Sequence, residues 1–161
     1  MLRSLLVSTL VTLVTLVTLV TLVTLGGALP AAHAAGDDPS DASALKPMVE
    51  ALRAGQYAAA IPRLENYTLQ YPKDANGWNW LGYAHRKNGQ LKLAFARYER
   101  ALALDPSHRG AHEYIGEAYL QDHQPEQARK HLQRLEALCP GGCEELSDLR
   151  QALAAYKPRA P

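Results

Sequence analysis

A spacing of 34 residues recurs along most of this chain and constrains its fold more than any other feature. Prolines, alanines and glycines each recur at this spacing, at Pro72, Pro106 and Pro140, at Ala60, Ala94 and Ala128, and at Gly55 and Gly89. In a chain with 10 Pro and 11 Gly, three columns agreeing at one period are improbable by chance. Such periods are typical of arrays in which a short structural unit stacks on its neighbours.

The middle row of this register, residues 75–108, resembles the tetratricopeptide repeat family. The residues that carry the resemblance are Trp78, Leu81, Gly82, Gly89, Ala94, Tyr98, Ala101 and Pro106. His85 departs from the family, which usually has Tyr at that position. Residues 109–142 match well, whereas residues 41–74 match only in their second half and form a degenerate repeat. The resemblance implies an all-α solenoid of three antiparallel helix pairs.

The prolines and the hydrophobic spacing predict where the helices lie. Pro72 and Pro106 end helices, because proline disfavours a helical residue before it and cannot donate to the preceding turn. The predicted helices span about 42–54, 57–70, 75–88, 91–104, 109–122, 125–138 and 144–156. Leucines at helical spacing in the last of these predict a capping helix within residues 143–156, followed by a short tail, 157–161.

Residues 1–34 have the pattern of an export signal. Arg3 is followed by an uncharged run from Leu5 to Leu25, and Ala32 and Ala34 suit cleavage after Ala34. Residues 35–40 would then be a polar linker at the start of a periplasmic or secreted protein. The run has the length of a bilayer span, so an uncleaved membrane anchor is the alternative.

Charge and motifs exclude several classes of function. The chain carries 17 Lys and Arg against 16 Asp and Glu, and Arg3 is the only charged residue before Asp37. Nucleic acid is therefore not an expected partner, because it attracts a surplus of cations. The sequence contains no nucleophile elbow, phosphate-binding loop or dinucleotide fingerprint. We expect no catalytic residues, no cofactor and no metal site.

The two cysteines, Cys139 and Cys143, flank the turn before the capping helix. In an oxidising compartment we expect them to form a disulfide. A redox-active dithiol or a thiolate metal site are the alternatives. The three-residue separation does not match the thioredoxin motif, and no spacing of four metal ligands can be named.

His108 and His112 lie one helical turn apart, with Glu113 and Glu117 following. These four side chains could in principle converge on a metal. The opposing interpretation places His108 in a turn and His112 between helices, as a neutral, hydrogen-bonded residue of the core. His-x3-His without an internal Glu is not a metalloprotease signature.

The resemblance implies a concave groove built from the first helix of each pair, which receives segments of a partner. The predicted groove residues are Asn76, Asn79, Tyr83, Arg86, Lys87, Glu113, Tyr114, Glu117 and Gln121. Repeats of this family that grip a C-terminal carboxylate use several Lys, Arg and Asn, whereas Glu113 and Glu117 stand in the last repeat here. The sequence therefore predicts a non-enzymatic module that binds a peptide or protein, and not a carboxylate clamp. The alternatives are a membrane-anchored envelope assembly factor and a thiol or metal protein that uses Cys139 and Cys143.

Overall fold

A computed structural model describes residues 42–158 of the chain. Within that range the chain forms seven α-helices and no β-strand, which confirms the all-α prediction. The helices are α1 Ala42–Arg53, α2 Tyr57–Gln70, α3 Ala75–Lys87, α4 Leu91–Leu104, α5 Arg109–Gln121, α6 Pro125–Leu138 and α7 Glu144–Ala155. Each begins and ends within one residue of its prediction. The predicted leader and linker, and the last residues of the tail, lie outside the described residues.

Two helices begin at side chains that satisfy backbone donors. Asp74 caps α3 by accepting from the Asn76 N–H at 2.9 Å, and it also accepts from the Tyr67 hydroxyl at 2.7 Å. His108, 34 residues later, caps α5 by accepting from the Ala111 N–H through Nδ1 at 3.1 Å. Each cap occupies a donor that the helix itself leaves unpaired.

The turn inside each helix pair requires one residue in the left-handed region. Gly55 and Gly89 supply it with φ of +75° and +77°, values that glycine adopts without steric cost. The third pair has His123 at the equivalent position, with φ of +59°. The 34-residue spacing therefore continues through His123 although the glycine does not.

Helices approach closely where glycines face large side chains. A Cβ on Gly82 of α3 would lie 2.6 Å from the ring of Tyr98 on α4, so this glycine closes the middle pair as expected. A Cβ on Gly116 of α5 would lie 2.6 Å from Leu149. Leu149 belongs to α7, so Gly116 admits the cap and not its own partner α6, contrary to the sequence interpretation.

The hydrophobic core runs along the array in three clusters. The first is formed mainly by α1, α2 and α3, the second by α4 and α5, and the third by α5, α6 and α7. Their most deeply buried large side chains are Leu52, Leu64, Leu81, Tyr98, Ile115, Leu135 and Leu149. Leu146 and Leu149 give α7 the buried face expected of a cap. Within residues 42–158, no helix combines the length and apolar character needed to cross a bilayer.

Candidate binding surface

Helices α1, α3, α5 and α7 lie side by side and form a face that we call the inner surface. Two clefts open on it. The first lies between α1 and α3, and its lining includes Lys46, Val49, Glu50, Arg53, Asn76 and Trp80. The second lies between α3, α5 and α7, and its lining includes Arg86, Lys87, Glu117, Gln121, Ala152 and Tyr156. The inner surface thus includes several of the side chains predicted to line a groove.

Four aromatic side chains, Tyr57, Trp80, Tyr83 and Tyr114, meet at the centre of this surface; we call them the aromatic cluster. The ring centroids of Tyr83 and Tyr114 are 5.0 Å apart. Trp80 lies 5.8 Å from Tyr83, and Tyr57 lies 6.2 Å from it. All four are half-buried, so they pack together while part of each ring faces solvent. Packed rings offer a large contact area whose conformation is already fixed.

Arg86 lies under the aromatic cluster and holds it from below. Only 6% of Arg86 is exposed, and its guanidinium lies 5.4 Å from the Tyr83 ring centroid and 5.7 Å from that of Tyr114. It makes a 2.5 Å ion pair with Glu117 and donates through Nε to the Tyr98 hydroxyl at 3.4 Å. Because a buried cation is costly without partners, these contacts compensate the charge and fix the two tyrosines beside it.

Glu113 lies on the same face of α5, one turn before Glu117, and is 8% exposed. Burial is the main cause that raises its pKa to about 8, and the negative charges of Glu117, Asp148 and Glu145 raise it further. Arg86 opposes this effect. Glu113 is therefore largely protonated at neutral pH, and it marks a region where several carboxylates converge.

The nine predicted groove residues lie at different depths. Asn76, Lys87 and Gln121 are exposed, and Tyr83, Tyr114 and Glu117 are half-buried. Asn79, Arg86 and Glu113 lie beneath them, with exposures of 3%, 6% and 8%. Contact between a partner and these three would require rearrangement, so their direct role in binding stays a prediction.

Asn79 is the most deeply buried of the nine. Its Nδ2 would be 3.4 Å from a Cβ at Gly110, which places the amide against the start of α5. Its Oδ1 is buried and has no hydrogen-bond partner within the described structure. The amide therefore lies in the contact between α3 and α5, below the inner surface.

Trp80 and the α1 side chains Lys46 and Arg53 also lie on the inner surface, and the sequence interpretation missed them. Trp80 could have been found, because it lies four residues after Asn76 and three before Tyr83, on one helical face. The α1 residues were hidden because the first half of the first repeat lacks the family pattern, with Pro47 and Met48 in place of the usual pair.

The histidines near the start of α5 are hydrogen-bonded within the protein. Nε2–H of His112 donates to the Pro106 carbonyl at 3.1 Å, so its Nδ1 is unprotonated and accepts from Nδ1–H of His131 at 3.0 Å. His108 Nε2–H donates to the Asn76 side-chain oxygen at 3.2 Å. Burial lowers the pKa of all three imidazoles. Across residues 42–158, no three His, Cys, Asp or Glu side chains are grouped to hold a metal.

Cys139 and Cys143 form a disulfide across the turn between α6 and α7, with their Cα atoms 5.9 Å apart. The expected pairing is therefore confirmed. The bond ties the cap to the last helix pair, and the cap supplies Ala152 and Tyr156 to the second cleft. A thiol or metal role for these cysteines would first require this bond to be broken.

Two sequence profiles, each described as tetratricopeptide repeat, match residues 49–96 and 85–153. No curated protein sequence matches the chain. Together the two profile matches span the array from α1 into α7.

Solved structures with a similar fold come from several proteins. MamA from Desulfovibrio magneticus RS-1 is 25% identical with a TM-score of 0.57, and the match covers 60% of this chain and 54% of MamA. The chain thus spans about half of that protein. The first TPR of Spaghetti (RPAP3), bound to the HSP90 peptide SRMEEVD, is 22% identical with a TM-score of 0.60, covering 70% of this chain and 92% of that one.

The type III secretion chaperone SycD from Yersinia enterocolitica, in complex with a peptide of the translocator YopD, is 18% identical. Its TM-score is 0.61, and the match covers 71% of this chain and 86% of SycD. At this identity the likeness to SycD and to RPAP3 shows a shared fold. Together with the two profile matches and the 34-residue register, it shows that this chain belongs to the tetratricopeptide repeat family.

Proposed function

We propose that this protein is a non-enzymatic interaction module that holds a segment of a peptide or protein on its inner surface. The observation that carries the proposal is the aromatic cluster, which Arg86 and Glu117 fix in place before any partner arrives. A preformed surface of this kind reduces the ordering cost of binding. Two proteins of the same fold were solved with bound peptides, which supports the choice of ligand class.

The test begins with peptides selected from a random library against the immobilised full chain, whose dissociation constants are then measured by fluorescence anisotropy. Tyr83→Leu combined with Glu117→Gln retains much of the side-chain volume but removes a ring and a charge from the surface. We expect binding at least tenfold weaker, equivalent to about 1.4 kcal/mol, with an unchanged helical melt.

The matched control is Tyr71→Leu combined with Glu99→Gln. Tyr71 lies in the turn between α2 and α3, and Glu99 is exposed on α4, so neither lines the two clefts. The control should bind within twofold of the unmodified protein. Equal binding by the inner-surface variant and the control would refute the proposal.

The protein acts, in our proposal, outside the bacterial cytoplasm, in the periplasm or after secretion. The leader pattern with cleavage after Ala34 and the disulfide both support this location, because disulfides persist in oxidising compartments. Intact-mass measurement of the exported protein tests it. A mature chain beginning at Ala35 supports the free module, whereas retention of the leader supports the membrane-anchored assembly factor.

A further inference from the structure

The inner surface is electrically uneven along the array, and its first half is cationic. Lys46 and Arg53 of α1 line the first cleft together with a single carboxylate, Glu50. Lys87 of α3 extends the positive region, with Nζ 5.8 Å from the Tyr57 ring centroid and 6.0 Å from that of Tyr83. Lys46, Arg53 and Lys87 are all exposed, so they can meet a charged partner without rearrangement.

The second half of the inner surface is anionic. Glu113 and Glu117 of α5 face Glu145 and Asp148 of α7, since the charges of the other three all act on Glu113. Arg86 pairs with Glu117 from below, and Arg109 pairs with Glu145 at 3.5 Å. Asp148 is exposed and Glu113 is poised to ionise, so four carboxylates here face two arginines.

The aromatic cluster occupies the boundary between these halves. Its rings come from α2, α3 and α5, so the cluster lies between the α1 cations and the α7 carboxylates. A ligand that follows the row of inner helices therefore meets positive charge, then aromatic area, then negative charge. A segment with charge of one sign throughout would be attracted at one end and repelled at the other.

We infer that the partner segment carries opposite charges at its two ends: Asp or Glu side chains beside α1, an aromatic or aliphatic side chain on the aromatic cluster, and Lys or Arg beside α7. This inference rests on the proposed function and names the chemistry of its ligand. Neighbouring helix axes lie about 8–10 Å apart, so three steps from α1 to α7 span roughly 24–30 Å. An extended chain covers about 3.3 Å per residue, which separates the two charged ends by about eight residues.

Three synthetic nine-residue peptides with blocked ends test the inference. All have a central Phe and Gly-Ser spacers; one carries Asp pairs at one end and Lys pairs at the other, one carries Asp at both ends, and one carries Lys at both ends. At low salt we expect the mixed peptide to bind the full chain at least fivefold more tightly than either of the others. The advantage should shrink at about 0.5 M salt, because ions screen exposed charges.

Reversing the charge of the α1 end sharpens the test. Lys46→Glu combined with Arg53→Glu makes both halves anionic, so the preference should move to the peptide with Lys at both ends. The matched control reverses two exposed cations of the outer helices, Arg63→Glu in α2 and Lys130→Glu in α6, and should keep the original preference.

Equal affinity for the three peptides, or an unchanged preference in the α1 variant, would overturn the inference. Failure of the mixed peptide to bind would overturn it as well. The proposed function fails separately, when library selection yields no peptide that depends on Tyr83 and Glu117. Selected peptides that depend on these residues but bind regardless of charge would retain the module and reject its charge preference.

Discussion

Acidification should destabilise the third helix pair through the hydrogen bond between His131 and His112. His131 donates through Nδ1–H to His112 Nδ1, and its imidazole also stacks on Tyr119, with ring centroids 5.7 Å apart. Burial is the main cause that lowers the pKa of His131 from 6.5 to about 4, and the nearby His112 and Lys130 lower it further. Charging His112 would place two N–H groups against each other.

The magnitude follows from this difference in pKa. Because the folded-state pKa lies below the unfolded value of 6.5, folding favours neutral His131. The stability it contributes is complete above about pH 6.5 and is lost as the pH falls towards 4. The full difference corresponds to about 3 kcal/mol. His131 is only partly buried, and since water screens part of the effect we expect about 1.5 kcal/mol at pH 4.5.

The assay is urea unfolding of the protein and of His131→Asn at pH 7.5 and pH 4.5. Asn keeps a neutral N–H donor near the position of Nδ1 and cannot become charged in this range. Relative to the unmodified protein, the variant should gain about 1.5 kcal/mol between pH 7.5 and pH 4.5. Gln133→Asn, exposed on the same helix, is the control. A constant difference between variant and protein at the two pH values would refute the reasoning.

Three further outcomes test the packing, the cap and the surface. Gly82→Ala should cost about 2 kcal/mol or more in urea unfolding, because the new Cβ meets the immobile, fully buried ring of Tyr98; Gly89→Ala, in open space but at positive φ, should cost only about 1 kcal/mol. Replacing both cysteines by Ser should cost about 2 kcal/mol, and a reducing agent should remove the difference from the unmodified protein. Glu113→Gln should flatten the fall in thermal stability from pH 6 to pH 9, because the raised pKa makes the protonated form the stabilising one and its contribution is lost as the pH rises through about 8. An equally steep fall in the Gln variant would reject this account of Glu113.

Much of the fold could be predicted because the repeat states its turns in residue types that act locally. Glycine permits the positive φ after each first helix, and proline prevents the second helix from continuing, so these residues fix boundaries without knowledge of tertiary contacts. Where the local signal is absent, the structure keeps the turn through context. His123 adopts the left-handed conformation because the helices on both sides are already committed to the array.

Contacts between repeats were harder to predict than contacts within them. The small residue Gly116 fits a close approach of any helix, and the sequence does not say which helix arrives. The structure brings Leu149 of α7 to it, since α5 has the cap on its far side where α3 has another repeat. The sequence interpretation therefore found the need for a small residue and assigned it to the wrong neighbour.

The depth of the site residues could have been found by reading the 34-residue columns across repeats. Leu45, Asn79 and Glu113 share one column, and all three are buried. Val49, Tyr83 and Glu117 share another, and all three are half-buried. A side chain's depth is thus set by its position in the repeat and not by its polarity. Asn79 and Glu113 were assigned to the groove because they are polar, although Leu45 in the same register indicates the core.

Arg86 follows the same rule and shows where the fold and the site make different demands. Its column holds Leu52 and Leu120, both buried, so the fold at this position is satisfied by a leucine. A buried ion pair is often no more stabilising than well-packed apolar side chains, so packing does not explain an arginine here. What the arginine adds lies on the inner surface, where it holds Glu117 and faces the rings of Tyr83 and Tyr114. Arg86 is therefore better understood as part of the binding surface than as part of the core in which it lies.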